Sequence, residues 1–233
     1  MKPKSILLIC LLSVIATACA KTTSENVKTG GFFASYSVKG NNTSSVECVV
    51  RFQVGGGTGT SLELSGSDRV TCDGQSMTKE EALGIVTYRV VLPYRQGHDY
   101  QVVLSRAGEP AYLASATLPE PILNMNPAAP VVLQKGTSLQ VSWTPSLNPS
   151  DEMNVMLNFS AGKSSHYRQR SDNAPENGNV VFDGQATRTE SMESGSWHGS
   201  VQITRRRSGQ MPSGLGGSIS AEQTRTFGVT LND

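Results

Sequence analysis

Aromatic residues make up only 6% of this 233-residue sequence and charged residues 17%. Its longest apolar run, Ile6 to Ile15, spans ten positions and is broken by Ser13. A membrane-spanning helix needs about 20 apolar residues, so none is expected here. Neither sign of charge dominates, with 20 basic against 19 acidic residues, so the chain lacks the positive footprint that phosphate backbones demand. Nucleic acid is therefore excluded as a partner. No Cys-x-x-Cys pair occurs, which removes the usual dithiol redox centre and the thiolate metal site. No Gly-x-Ser-x-Gly occurs either, so the strained turn that presents a nucleophilic serine is missing. Gly55-Gly56-Gly57 lacks the Lys-Ser/Thr of a phosphate cradle, and no helical pattern follows it. No cofactor motif is found.

What is present is alternation. From Phe32 the apolar residues recur at every second position, as in Phe32, Ala34, Tyr36 and Val38, which marks a half-buried strand. The same period runs through 46–54, 61–65, 69–73, 85–92, 99–105 and 111–118. Glycine, asparagine and proline clusters separate these segments and supply the turns. Seven short strands within 32–118 predict a first β-sandwich domain. One short stretch differs: Thr78 and Glu81 fit a capping box, which predicts a connector of barely two helical turns over Thr78 to Leu83. Prolines at 119, 121, 127 and 130 interrupt the alternation, so 119–130 reads as a stiff linker. A second β-sandwich domain is expected over 131–233, with strands at 138–144, 153–159, 179–182, 197–204 and 223–231. Residues 162–178 read mainly as an exposed loop with room for one edge strand, and 208–217 as a second loop.

The N-terminus carries a different signal. Lys2 and Lys4 precede the ten-residue apolar run, a length that suits a secretory signal core of about 7 to 15 residues. Removal of residues 1–18 leaves 18 basic against 19 acidic residues. Ala16-Thr17-Ala18-Cys19 resembles the lipobox of bacterial lipoproteins, departing from it at Ala16, where Leu is commonest. The resemblance implies cleavage before Cys19, a diacylglycerol on its sulfur and an acylated new N-terminus. The partner would then be a lipid bilayer. Ala20, where an Asp would imply inner-membrane retention, favours the outer membrane by the same resemblance. Residues 19–31 are expected to form the lipidated cysteine and a short polar tether.

Two cysteines remain once Cys10 leaves with the signal and Cys19 is acylated. Cys48 and Cys72 both sit in alternating patterns with their sulfurs inward, 24 positions apart. The alternatives are a disulfide, contributing about 3 to 4 kcal/mol by loop entropy, and two unpaired core thiols. In the second half, Leu139-x-Val141-x-Trp143-x-Pro145, a loop, then Val155-x-Leu157-x-Phe159 resembles an early strand pair of fibronectin type III or immunoglobulin-like domains. That resemblance implies that Trp143 fills a core between two sheets. The whole chain thus reads as all-β, two tandem immunoglobulin-like β-sandwich domains after a signal peptide and short tether.

Candidate chemistry is sparse. Arg205, Arg206 and Arg207 close a strand in which Arg205 and Arg207 continue the face of Val201 and Ile203, so that face is expected to have left the core. With Arg168, Arg170 and Arg188 they would form a basic patch for an acidic ligand; the alternative is a solvated strand end that discourages edge pairing. Ser196 and His198 share a strand face as ordinary neighbours. A hydrolase or a metal or small-ligand carrier would need His166, His198, Asp172 or Glu193 to converge. Tyr94, Tyr112 and Tyr167 are the only aromatic candidates for a sugar platform. The reading that results is a membrane-anchored, non-catalytic binding or structural module, with an envelope protein or matrix component as partner.

Overall fold

The computed structural model describes residues 21–41, 44–128, 130–160, 172–174, 177–184, 187 and 195–232. The chain begins with Lys21–Thr23 (β1) and two single 3-10 turns, Ser24–Asn26 and Thr29–Gly31. The strands Phe32–Asn41 (β2), Ser45–Val54 (β3), Thr60–Glu63 (β4), Arg69–Cys72 (β5) and Gln75–Ser76 (β6) follow. Next come Thr78–Ala82 (β7), Ile85–Pro93 (β8), Asp99–Ser105 (β9) and Tyr112–Thr117 (β10). The second half holds Val131–Gln134 (β11), Leu139–Ser142 (β12), Glu152–Ser160 (β13), Asp172–Ala174 (β14) and Asn179–Phe182 (β15). It ends with two long strands, Trp197–Ser208 (β16) and Gly216–Asn232 (β17).

The alternation in the sequence becomes burial on one face. Val46, Cys48, Val50 and Phe52 of β3 pack in one cluster with Val70, Cys72, Tyr100, Val102 and Leu104 of β5 and β9. The former belong to a large sheet and the latter to a four-stranded sheet ordered β10-β9-β5-β6, so the two layers enclose a sandwich core. A second cluster joins Leu139, Val141, Trp143 and Phe182 to Val155, Leu157, Val201, Phe227 and Leu231. Here the small sheet is the β12-β15 pair, and Trp143 and Trp197 are both buried. The architecture is all-β, as expected.

The two cores share one sheet. Its main path, among the described residues, runs β1-β4-β3-β2-β17-β16-β13-β14. Strand β17 makes this possible: Gly216–Gln223 pair in parallel with β2, and Val229–Asn232 pair in parallel with β11. Along its other edge β16 pairs with it without a break, from Trp197↔Leu231 to Ser208↔Ser220. Ile219 and Ala221 therefore lie in the first core while Phe227, Val229 and Leu231 lie in the second. The 208–217 region, expected as a loop, supplies Leu215 to the first core and the start of β17. Gly209 allows this closure, since a Cβ there would sit 2.2 Å from the Ser115 carbonyl oxygen.

Two local expectations are corrected. Thr78 to Leu83 is not helical: β7 pairs antiparallel with β8 from Thr78↔Arg89 to Ala82↔Ile85. Leu83 and Gly84 close this hairpin at φ +52° and +76°, the signature of a two-residue turn that matches strand twist. A capping box alone does not hold so short a helix against a full ladder. The polar segment after Lys21 is docked rather than a free tether. Lys21, Thr22 and Thr23 pair with Ser61, Leu62 and Glu63. Arg106 then donates to the Ser24 and Val27 carbonyls at 2.6 and 3.1 Å, and Ser24 and Thr29 are buried. Without an apolar period the sequence gives no sign of this, because polar side chains and backbone carry the docking.

Candidate functional site

Strand β8 separates two surface features. At its start lies the β7–β8 hairpin tip, and after its end lies the 94–97 loop; nine residues at about 3.3 Å each place them roughly 30 Å apart.

The hairpin end adjoins the N-terminus. Lys21 Nζ sits 2.9 Å from Glu81 Oε2 of β7 and 2.9 Å from Glu63 Oε2 of β4. Ser61, the partner of Lys21 in the ladder, accepts a hydrogen bond from the Val86 amide at 2.9 Å. Lys79 reaches Glu63 and Arg89 reaches Glu80 and Glu47, so three cations bridge the four carboxylates of this corner. Lysine hydrogen bonds, Lys79 first and Lys21 second, hold the Glu63 carboxyl below its ordinary value. Leu83 at the tip is 92% exposed, and Ile85 beside it is exposed as well.

The other end opens a cleft of about 400 Å³ between the two cores. One wall is Tyr94, Gln96 and Gly97; the other is Leu147, Asn148 and Pro149, with Pro119, Glu120 and Arg207 between them. Each loop is fixed by an acid, half-buried Asp73 on one side and buried Asp151 on the other. Asp73 Oδ1 accepts the Gln101 amide at 2.9 Å, while Asp73 Oδ2 lies 2.7 Å from His98 Nε2 and pairs with Arg95. Asp151 carries the opposite wall: Ser146 Oγ donates to it at 2.5 Å, and Arg207 binds it through Nε and Nη2 at 2.7 and 3.0 Å. The Asn148 carboxamide oxygen accepts the Ser150 amide at 2.9 Å, which shapes the loop that exposes Leu147. Burial first, and the Glu120 charge second, raise the Tyr94 phenol above its ordinary value.

The arginine triplet falls differently from either sequence alternative. Arg205 is 1% exposed, so the Val201–Ile203 face has not left the core at that point. Its guanidinium donates to the carbonyls of Glu120, Pro121 and Thr144 at 2.9, 3.2 and 2.8 Å. Arg225 adds a bond to the Ile122 carbonyl at 3.1 Å. The proline-rich crossing between Leu118 in the first core and Ile122 in the second is thus clamped by cations from β16 and β17. Arg207 belongs to Asp151, and Arg206 is exposed. Arg168, Arg170 and Arg188 lie outside the described residues, as do Cys19, His166, Tyr167 and Glu193.

Cys48 and Cys72 are buried and unbridged in this structure. They come from opposite layers of the first sandwich, and contact with the Cys48 thiol first, then burial, pushes the Cys72 thiol far up. Ser196 donates to Asn232 at 2.8 Å and His198 lies 3.3 Å from Thr230, so the two have separate partners. Among the described residues no three His, Cys, Asp or Glu side chains form a group able to hold a metal. Of the two tyrosine candidates among the described residues, Tyr94 lines the cleft and Tyr112 does not. Glu120 and Asn148 carry no periodic signal as isolated polar residues in loops; the Asp151-Glu152 pair reads from the sequence as solvated carboxylates in a turn, whereas Asp151 is buried against Arg207 and Ser146, and Ser146-x-Asn148-x-Ser150-Asp151 has the composition of a side-chain-capped turn.

No family model matches the chain, and no curated protein matches it. Solved structures do. One is the FN1–FN3 domains of chicken CNTN1, at 12% identity and a TM-score of 0.27, covering 88% of this chain and 65% of that one. Another is the adhesin InvE of Yersinia pseudotuberculosis, at 13% identity and a TM-score of 0.25, covering 88% and 60%. A third is SGBP-B of Bacteroides ovatus in complex with a mixed-linkage heptasaccharide, at 12% identity and 0.18, covering 82% and 54%. The chain spans less than two thirds of the length of each. These are resemblances of chain trace, and no activity of this chain rests on them.

Proposed function

We propose that the chain is an envelope lipoprotein, acylated at Cys19, whose β-sandwich body serves as a non-catalytic binding or structural module. The observation that carries this reading is the placement of the two surface features. The N-terminal strand docks beside the hairpin tip, and the cleft opens at the other end of β8. An anchor at Cys19 would lie two residues from Lys21, within about 7 Å along the chain. The cleft would then face away from the bilayer, presented by a body that the β16–β17 pair makes continuous. Two or more acyl chains hold a protein stably, since each buried methylene contributes about 0.8 kcal/mol. Ala20 favours the outer membrane, and an envelope protein or matrix component is the partner such a cleft would meet.

Cys19→Ser tests the anchor. The parent protein is expected in the detergent phase of a phase-separation assay, and the variant as an unprocessed precursor or in the aqueous phase. A variant that is processed and still partitions into detergent contradicts the proposal.

A further inference from the structure

Leu83 occupies a position that the fold does not favour for it. Its φ of +52° lies in the left-handed region, where a Cβ is crowded and where two-residue hairpins usually place Asn, Asp or Gly. The side chain gains nothing from the protein interior in return, being 92% exposed. Ile85, on the other side of Gly84, is also exposed. The fold thus leaves an apolar side chain at a strained tip free to meet a surface outside the chain. The surroundings indicate which one. Lys21, the second residue after Cys19, contacts Glu81 only two positions before the tip, and its ladder partner Ser61 is bonded to Val86 just beyond it. Lys21, Lys79 and Arg89 between them reach the four nearby carboxylates, Glu47, Glu63, Glu80 and Glu81, which leaves one net negative charge spread over the corner, so the contact falls to the apolar tip rather than to headgroup charge.

We propose that the β7–β8 hairpin tip, through Leu83 and Ile85, dips into the interfacial layer of the bilayer that holds the acylated Cys19. This rests on the lipoprotein reading and deepens it, because it turns a point anchor into a two-point contact. A single anchor fixes one point of the body and leaves its orientation to the bilayer unset. A second contact a short distance away fixes which end of β8 faces the lipid and holds the cleft outward. One leucine would not hold the protein at a membrane by itself; beside an acyl anchor it has only to choose an orientation.

The test uses the full processed protein, reconstituted into phosphatidylethanolamine–phosphatidylglycerol vesicles with and without brominated phosphatidylcholine. Leu83→Trp places an indole at the tip, and Leu147→Trp places one at the cleft, at the far end of β8. The unsubstituted protein gives the background from the buried Trp143 and Trp197. The indole from Leu83→Trp is expected to emit further to the blue on reconstitution and to be quenched by the brominated lipid, while that from Leu147→Trp does neither. Intact mass of the same samples reports the lipid on Cys19. Lipid present with no quenching at position 83, or equal quenching at 83 and 147, overturns the hairpin contact and leaves the anchor standing. A blue shift without quenching places the tip against protein and overturns it as well. Absence of the lipid mass overturns both readings.

Discussion

Replacing Arg205 with methionine should destabilise the protein more than any other single change in the arginine triplet. The side chain is 1% exposed and its Nη1 and Nη2 groups serve three carbonyls, those of Glu120, Pro121 and Thr144. Methionine fills much of the same volume and removes every donor, so three acceptors at the junction of the two cores lose a charged partner. Hydrogen bonds to charged groups contribute about 1.5–3 kcal/mol each, partly offset because the cation no longer has to be desolvated. Disrupting such a buried network costs about 3–5 kcal/mol. A domain of this size loses about 2–4 °C of melting temperature per kcal/mol, so the shift should be roughly 6–20 °C downward. Differential scanning calorimetry measures it. Arg206→Met, on the exposed side of the same strand, should stay within about 0.5 kcal/mol of the parent. If Arg205→Met melts within about 2 °C of the parent, the linker carbonyls do not depend on the guanidinium and the clamp is refuted.

Three other outcomes are expected. Cys48 and Cys72 meet across the first sandwich, and in an oxidising compartment they should form a bridge worth about 3–4 kcal/mol; alkylation under denaturing, non-reducing conditions should label neither, and labelling of both rejects the bridge. Leu83→Asn relieves a left-handed residue without removing any buried contact, so it should raise stability by about 0.5–1 kcal/mol in denaturant titrations, and a loss of stability contradicts the turn geometry. Burial tends to raise the Asp68 carboxyl, but hydrogen bonds from Ser24, Arg106 and the Ala107 amide, with the Arg106 charge, outweigh it and hold it below 3.8. Its stabilisation is therefore complete above pH 3.8 and disappears as pH falls through the depressed value. Asp68→Asn should lower stability by about 1–2 kcal/mol at pH 7 and flatten the acid limb of the stability curve; an unchanged acid limb refutes the 2.9 Å pairing with Arg106.

Much of the core was legible because burial in a sandwich imposes period two. Val46 to Val54, Asp99 to Ser105 and Met153 to Phe159 alternate cleanly, and each is a strand with that face inward. The inward direction of Cys48 and Cys72 followed from the same pattern. What the pattern could not reveal is held by polar groups. β7 is exposed along its whole length, so no apolar period marks it, and its strand state comes from pairing with β8 and from the Leu83-Gly84 turn. Residues 21–31 are fixed by Arg106 and by a parallel ladder, neither of which leaves a trace in local composition. The sharing of β17 between two cores is a matter of register with β2 and β11, which are distant in sequence. Arg205 shows the limit most clearly, since a charged residue on an apolar face reads as the end of burial until its carbonyl acceptors are known.

The placement of the two ends of β8 gains a functional meaning only if the N-terminal thiol carries lipid. Intact mass spectrometry of the protein isolated from its native cells tests this most directly. The account predicts a chain that starts at Cys19 and carries the added mass of a diacylglyceryl group and an N-terminal acyl chain. A chain that starts beyond Cys19, or one that starts there with no added lipid mass, contradicts it.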